Sequence, residues 1–291
     1  MRAWRTVFVC SWFLGLAAGA HGQGIPPQHP IDPDRPDLTN TAHLVDVRFV
    51  QFEVGGIYTR ESEDRQLSGS PVGIRIGVRD WIEARFGFDN LLLRAVDTDG
   101  GQTGIGNLQV GAKIRVWPDS DGQSLFSLLP AVTVPTASEE KGLGSGGADF
   151  TVAALTAVEL SPRSQVGINH IIGAIAADGG ASHFLQHVAS ASLGVSVTDH
   201  WNPYFQMFAI SRNRVDGSPV VAINTGTLYV INPRLALDGG MQFGLTEDAS
   251  AFSAFGGFSV AVGAANRRPP QSDRRLARRL LTSTSAFPGR D

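Results

Sequence analysis

Asn107-Leu108-Gln109-Val110-Gly111-Ala112-Lys113-Ile114-Arg115-Val116 alternates without interruption. Leu108, Val110, Ala112, Ile114 and Val116 form one face, and Asn107, Gln109, Gly111, Lys113 and Arg115 form the other. A period of two is the signature of a strand whose faces meet different surroundings. The pattern recurs at Val72, Ile74, Ile76 and Val78 against Gly73, Arg75, Gly77 and Arg79. It recurs again at Ile82, Ala84, Phe86 and Phe88 against Glu83, Arg85, Gly87 and Asp89. Near the end, Leu235, Leu237, Gly239, Met241 and Phe243 oppose Arg234, Asp238, Gly240 and Gln242.

Length then separates two kinds of alternating sheet. Strands of a soluble sandwich run about 5 or 6 residues, whereas a tilted strand crossing a bilayer needs about 9 to 11. Twelve long segments are read, over 47–60, 66–79, 81–95, 103–117, 123–136, 148–160, 165–176, 183–198, 201–213, 218–230, 233–245 and 250–263. The predicted fold is therefore all-β, a transmembrane antiparallel up-and-down β-barrel of about 12 strands. Short links around Arg79-Asp80, Asp119 to Gly122, Ser161 to Ser164, Thr198 to His200 and Asn232-Pro233 alternate with mostly longer, glycine-rich connections. That asymmetry, with an even strand count, puts both barrel ends on the periplasmic side. A one-residue slip would turn Arg75 and Arg79 toward lipid, at roughly 2–4 kcal/mol each near the midplane. Tyr58, Trp81, Trp117, Trp201 and Tyr229 fall near segment ends, where interfacial aromatic girdles belong.

The flanks divide the chain further. Residues 1–22 read as a signal peptide: Arg2 and Arg5, an apolar run from Val7 to Ala18, then small residues up to Gly22. That run is too short for a spanning helix. Cys10, the single cysteine, lies inside it, so the mature chain is expected to lack thiols. Residues 23–46 form a proline-rich leader, either disordered or folded into the barrel as a plug. The barrel itself is placed at 47–263. Residues 264–291 form an arginine-rich tail, read as a solvated periplasmic segment or a basic amphipathic helix. A formal net charge of −3 gives no case for nucleic acid.

Four strings then carry a family resemblance. They are Asp34-Arg35-Pro36-Asp37-Leu38-Thr39, Gly104 to Leu108 with Val110 to Lys113, Leu129-Pro130-Ala131-Val132-Thr133-Val134-Pro135-Thr136, and Asn232-Pro233 with Leu235 and Leu237 to Gly240. In this order they resemble the outer-membrane transporter family of the "MetA pathway of phenol degradation" type. The resemblance covers about residues 34 to 263 and implies a small barrel passing small, often aromatic, compounds. Asn107 stands where that pattern leads one to expect aspartate. The chain also ends on a tail rather than on the terminal aromatic that the barrel assembly machinery usually reads, leaving Phe258 as the substitute.

The residues taken to line the lumen are Glu53, Arg75, Glu83, Arg85, Asp89, Asn107, Gln109, Lys113, Arg115, Asp238 and Gln242, joined by Glu159, Asn169 and Gln206. Two readings stand for them: a polar path whose charges select solutes, or cross-strand ion pairs that stabilise a closed barrel. A barrel of about eight strands is filled by side chains and one of sixteen holds a channel, so twelve lies between. Chemistry beyond transport has weaker support. His170, His183, His187 and His200 lie in no motif that pairs them with a serine. His183 and His187, on one strand, stand about 13 Å apart, too far for one metal ion. Gly142 to Gly147 lacks the lysine-serine and the helix of a phosphate loop and reads as a mobile outer loop. The reading is a non-enzymatic outer-membrane channel for passive uptake of small aromatic or anionic molecules, the anions drawn by the cations of the second to fourth segments, without a cofactor and with lipid, the solute and the assembly machinery as partners. A hydrolase on the same barrel and a closed structural barrel are the alternatives.

Overall fold

The computed structural model describes residues 31–263 apart from 36–37, 62–63, 70–71, 89–90, 94–102, 118–123 and 142. The expected signal peptide and arginine-rich tail lie outside these residues. The strands are β1 (Phe49–Glu61), β2 (Asp64–Gly69), β3 (Val72–Arg79), β4 (Ile82–Phe88), β5 (Leu91–Leu93), β6 (Thr103–Ile105) and β7 (Leu108–Trp117). There follow β8 (Ser124–Val134), β9 (Asp149–Ser161), β10 (Ser164–Ala176), β11 (His183–Val195), β12 (Trp201–Ile210), β13 (Val220–Asn232), β14 (Leu235–Gly244) and β15 (Phe252–Gly263). All belong to one sheet, and the described residues contain no helix.

The sheet closes on itself. β15 pairs antiparallel with β1 from Phe49↔Gly263 to Arg60↔Phe252, which satisfies the two edges an open sheet would expose. β2 with β3, β4 with β5 and β6 with β7 each make one crossing in two pieces, so the fifteen strands build a barrel of twelve. The three segments read as continuous over 66–79, 81–95 and 103–117 are thus interrupted. The third breaks beside Asn107. Asn107 Oδ1 accepts the amide of Ala137 at 3.0 Å, which ties this point of the wall to the β8–β9 connection.

Facing follows the alternation. Val110, Val116 and Phe86 are exposed on the outer surface, while Arg75, Glu83 and Lys113 are almost completely buried inside. Trp81, Trp117, Trp201 and Tyr229 are exposed and cluster at the short-turn end, with Trp201 registered against Tyr229. That is the position of an interfacial girdle.

The inside is occupied by the leader. The described residues of 31–46 take no regular structure, and Pro33 among them could not donate to a ladder. Ile31 and Val45 pack with Phe49 against Val230, Ala236 and Ala261, and Ala42 packs against Leu125, Ala153, Leu155 and Ala157. The leader enters the wall through a reversal at Arg48, whose φ of 73° lies in the left-handed region. It passes so close to β3 that a Cβ on Gly77 would stand 2.1 Å from the Asp46 carbonyl oxygen. Only glycine admits that crossing.

This facing can be checked directly. Val110→Arg should lower the unfolding free energy in lipid vesicles by about 2–4 kcal/mol, and Gln109→Arg, on the inner face, by much less.

Candidate functional site

The plug is held by charge on one side of the barrel. At its hub, Asp34 meets three cations from three strands: Lys113 Nζ stands 3.3 Å from Oδ1, Arg75 Nη1 stands 3.7 Å from Oδ1, and Arg85 Nη2 pairs with Oδ2. Two wall carboxylates complete the cluster. Arg75 Nε donates to Glu83 Oε1 at 2.8 Å and Nη1 to Glu53 Oε1 at 3.2 Å. The plug backbone joins in. Lys113 donates to the carbonyls of Thr41 at 2.7 Å and His43 at 3.2 Å, and Arg75 donates to those of Asp32 at 2.9 Å and His43 at 3.2 Å. In return, the amide of Val45 donates to Glu83 at 2.7 Å, and those of Asp34 and Arg35 donate to Glu53. Six ionised side chains are tolerated in a buried site because each has a partner of opposite charge and the cluster sums to zero. Burial works to raise the pKa of Asp34, but Arg75, then Arg85 and Lys113, outweigh it and hold the carboxyl well below the ordinary carboxylate range. Its contribution to folding is therefore complete at neutral pH and is lost progressively as pH falls from the ordinary carboxylate range to that depressed value.

A second anchor sits at the closure of the barrel. Arg35 Nη2 lies 3.1 Å from Asp238 Oδ1, with side-chain exposures of 9% and 1%. The guanidinium rests on bare backbone, for a Cβ on Gly55 would come within 2.1 Å of it and one on Gly257 within 2.7 Å. Gly55 and Gly257 are register partners across the β1–β15 seam, so the two glycines form one floor. On the opposite wall the bonds of the described plug residues are neutral. Thr39 Oγ1 donates to Ser190 Oγ at 2.9 Å and accepts from Gln206, Asn169 donates to the Asn40 carbonyl at 3.0 Å, and Ser127 donates to that of Ala42 at 2.7 Å.

Against β9 to β13 the plug leaves space. A cavity of about 150 Å³ is bordered by Thr39, Thr156, Gln165, Gly167, Ser192 and Tyr204. A larger one of about 630 Å³ opens at the short-turn end beside Asp32, His43, Glu159, Arg163, Asp199 and Asn202. Asp32, Gln165, Gly194, Asn202 and Leu228 border both, so the two adjoin. The cavity wall is nearly uncharged at the inner level and carries its charges at the mouth. In the outer half of the barrel the inner wall turns apolar, with Phe208, Val220 and Ala222 packed together.

The residues singled out from sequence divide accordingly. Glu53, Arg75, Glu83, Arg85 and Lys113 gather around Asp34, and Asp238 takes Arg35. Asn169 and Gln206 contact the plug on the far wall. Asn107 is buried beneath the β8–β9 connection. Gln109 is exposed opposite Thr133, Gln242 is half-buried opposite Asn224 and Ser253, and Arg115 is half-buried with an Nε that makes no hydrogen bond. Asp89 lies outside the described residues. Of the histidines, His183 meets the Ala148 carbonyl, His200 that of Val230, and His170 and His187 pair with each other at 3.3 Å on the outer face. Among the described residues no group of three His, Cys, Asp or Glu is placed to hold a metal. The residues that sequence reasoning missed are Asp34, Arg35, Thr39, Gly55 and Gly257. The first three lay in one of the strings that carry the family resemblance, a signal that this stretch does more than lead into the barrel.

A closed barrel of twelve strands with outward apolar faces, an aromatic rim and an internal plug defines an outer-membrane β-barrel of the porin-like class. The chain belongs to the family described as "Putative MetA-pathway of phenol degradation", whose model matches residues 33–262. Among solved structures it resembles the COG4313 outer membrane channel from Pseudomonas putida F1, with a TM-score of 0.63 at 12% identity over 79% of this chain and 99% of that one. It also resembles the NanC porin, with a TM-score of 0.53 at 12% identity over 72% of this chain and 98% of that one. At such identities the likeness is one of fold. No curated protein matches the sequence.

The second anchor makes a measurable claim. Asp238→Ala should destabilise the barrel by about 3–5 kcal/mol in denaturant titrations, because it strands a buried guanidinium. Adding Arg35→Ala to that variant should recover much of the loss, which is the mark of a coupled pair.

Proposed function

We propose that the protein is a passive outer-membrane channel for small solutes, with its path running between the plug and the β9–β13 wall. The observation that carries this reading is the one-sided seating of the plug. Charged anchors fix it to β1, β3, β4, β7 and β14, and adjoining cavities of about 150 and 630 Å³ remain on the other side. Membership of a family named for phenol degradation and the fold shared with named channels support the same reading. The name of the family, with its reference to phenol degradation, favours solutes with an aromatic body. A wall whose cations are neutralised gives the plugged state little long-range pull on ions, so selection falls to size and to contacts made within the lumen.

Purified protein in planar bilayers should show a small, steady conductance. Removal of residues 31–46 should raise it severalfold. Gly194→Trp should lower it severalfold, because Gly194 borders both cavities and a Cβ placed there meets nothing within 4 Å. Folded protein that conducts in none of these three forms would discard the channel reading.

A further inference from the structure

The charge arithmetic of the plug hub points to a ligand. Arg75, Arg85 and Lys113 supply three positive charges, and Glu53 and Glu83 supply two negative ones. Within this hub the wall residues therefore carry one unbalanced positive charge, and Asp34 cancels it. Asp34 is not part of the wall. It belongs to a segment whose described residues take no regular structure and which continues into β1 through the reversal at Arg48. Its carboxylate is thus a tethered occupant of a site that the barrel builds by itself.

The site is shaped for a carboxylate. Two guanidinium groups and an ammonium converge from three neighbouring strands on the two oxygens of one acid. The wall orders β3–β4–β7 in sequence, and in register Arg75 faces Arg85 while Glu83 faces Lys113. Like charges stand directly opposite in the first of these pairs, which costs energy in a sheet unless an anion lies between them. Arg85 also keeps a donor in reserve. Its Nη1 is buried without a hydrogen-bond partner, the Glu83 Oε1 atom standing 3.9 Å away. The Arg85 side chain is 19% exposed, so the site is not sealed.

We propose that Arg75, Arg85 and Lys113 form an internal binding site for a small monocarboxylate, and that Asp34 is its competing occupant in the plugged barrel. The class of ligand follows from the single unbalanced charge: one carboxylate restores neutrality and a dicarboxylate overshoots it. Benzoate, which has an uncharged counterpart in benzyl alcohol, serves as the probe. This deepens the channel reading by naming a solute class and a means by which that solute competes with the plug.

The test uses the full protein in detergent or lipid, with Asp34→Ala to empty the site and benzoate as the probe. Benzoate should raise the melting temperature of Asp34→Ala at millimolar concentration, and calorimetry should give it a dissociation constant at least about tenfold tighter than in the wild type, where the tethered carboxylate competes. Benzyl alcohol, the same ring without the charge, should do neither. Arg85→Met in the Asp34→Ala background should abolish the response. Where Asp34→Ala fails to fold, Asp34→Asn keeps the side-chain shape and carries the same expectation. Equal responses of wild type and variant, equal responses to benzoate and benzyl alcohol, or no response in the variant would each overturn the proposal. Melting and calorimetry do not depend on conduction, so a barrel that conducts without binding benzoate sinks the site alone. A barrel that binds benzoate without conducting sinks the channel reading alone.

Discussion

The contact between Asp34 and the cations of β3, β4 and β7 is the constraint from which the interior follows. Without a carboxylate there, Arg75, Arg85 and Lys113 would crowd one another with too few counter-charges, and burial would be costly. With it, the cluster is neutral and the leader is pinned at one height. The rest of the leader then has little choice. Its carbonyls at Asp32, Thr41 and His43 complete the hydrogen bonds of the same cations, and Ala42 is brought to the apolar pocket of β8 and β9.

Because the charges lie on one side, the lumen is divided into unlike halves. One half is filled and ionic. The other is lined by glycine, serine, threonine and amide side chains and is left partly empty. An evenly charged lining would have held the leader centrally and left an annulus too thin for a solute. Segregation of charge along the circumference makes room for both a plug and a cavity within a barrel of only twelve strands.

Much of the wall was legible in the sequence because facing in a strand is a local property. Alternation at Leu108–Trp117 or Val72–Arg79 needs no knowledge of the partner strand, and the closed antiparallel barrel of twelve follows from segment length and count. The pattern weakened where both faces are apolar. Leu155 and Ala157 point inward between outward Val152 and Val158, so hydrophobicity alone does not distinguish lumen from lipid on β9. The interior was much less legible. The leader has no periodicity, and its bonds span great sequence distances, as between Arg35 and Asp238, 203 residues apart. The charges on the wall were readable, but their neutralisation by Asp34 was not, since nothing local in Asp34-Arg35-Pro36 points to Lys113. Glycines posed the same difficulty. Nothing in the sequence around Gly55 and Gly257 singles them out, and their role appears only when Arg35 lies on them.

That glycine floor also bears on how the barrel comes to close correctly. Gly55 belongs to the first wall strand made and Gly257 to the last, and Arg35 bridges from their junction to Asp238 on the strand before. A closure slipped by two residues would preserve every inward and outward face, so lipid and lumen could not distinguish it from the true one. It would, however, set Phe255 or Ser259 opposite Gly55 and put a side chain where the guanidinium belongs. The leader therefore acts as a gauge on the finished seam, rewarding only the register in which two glycines meet.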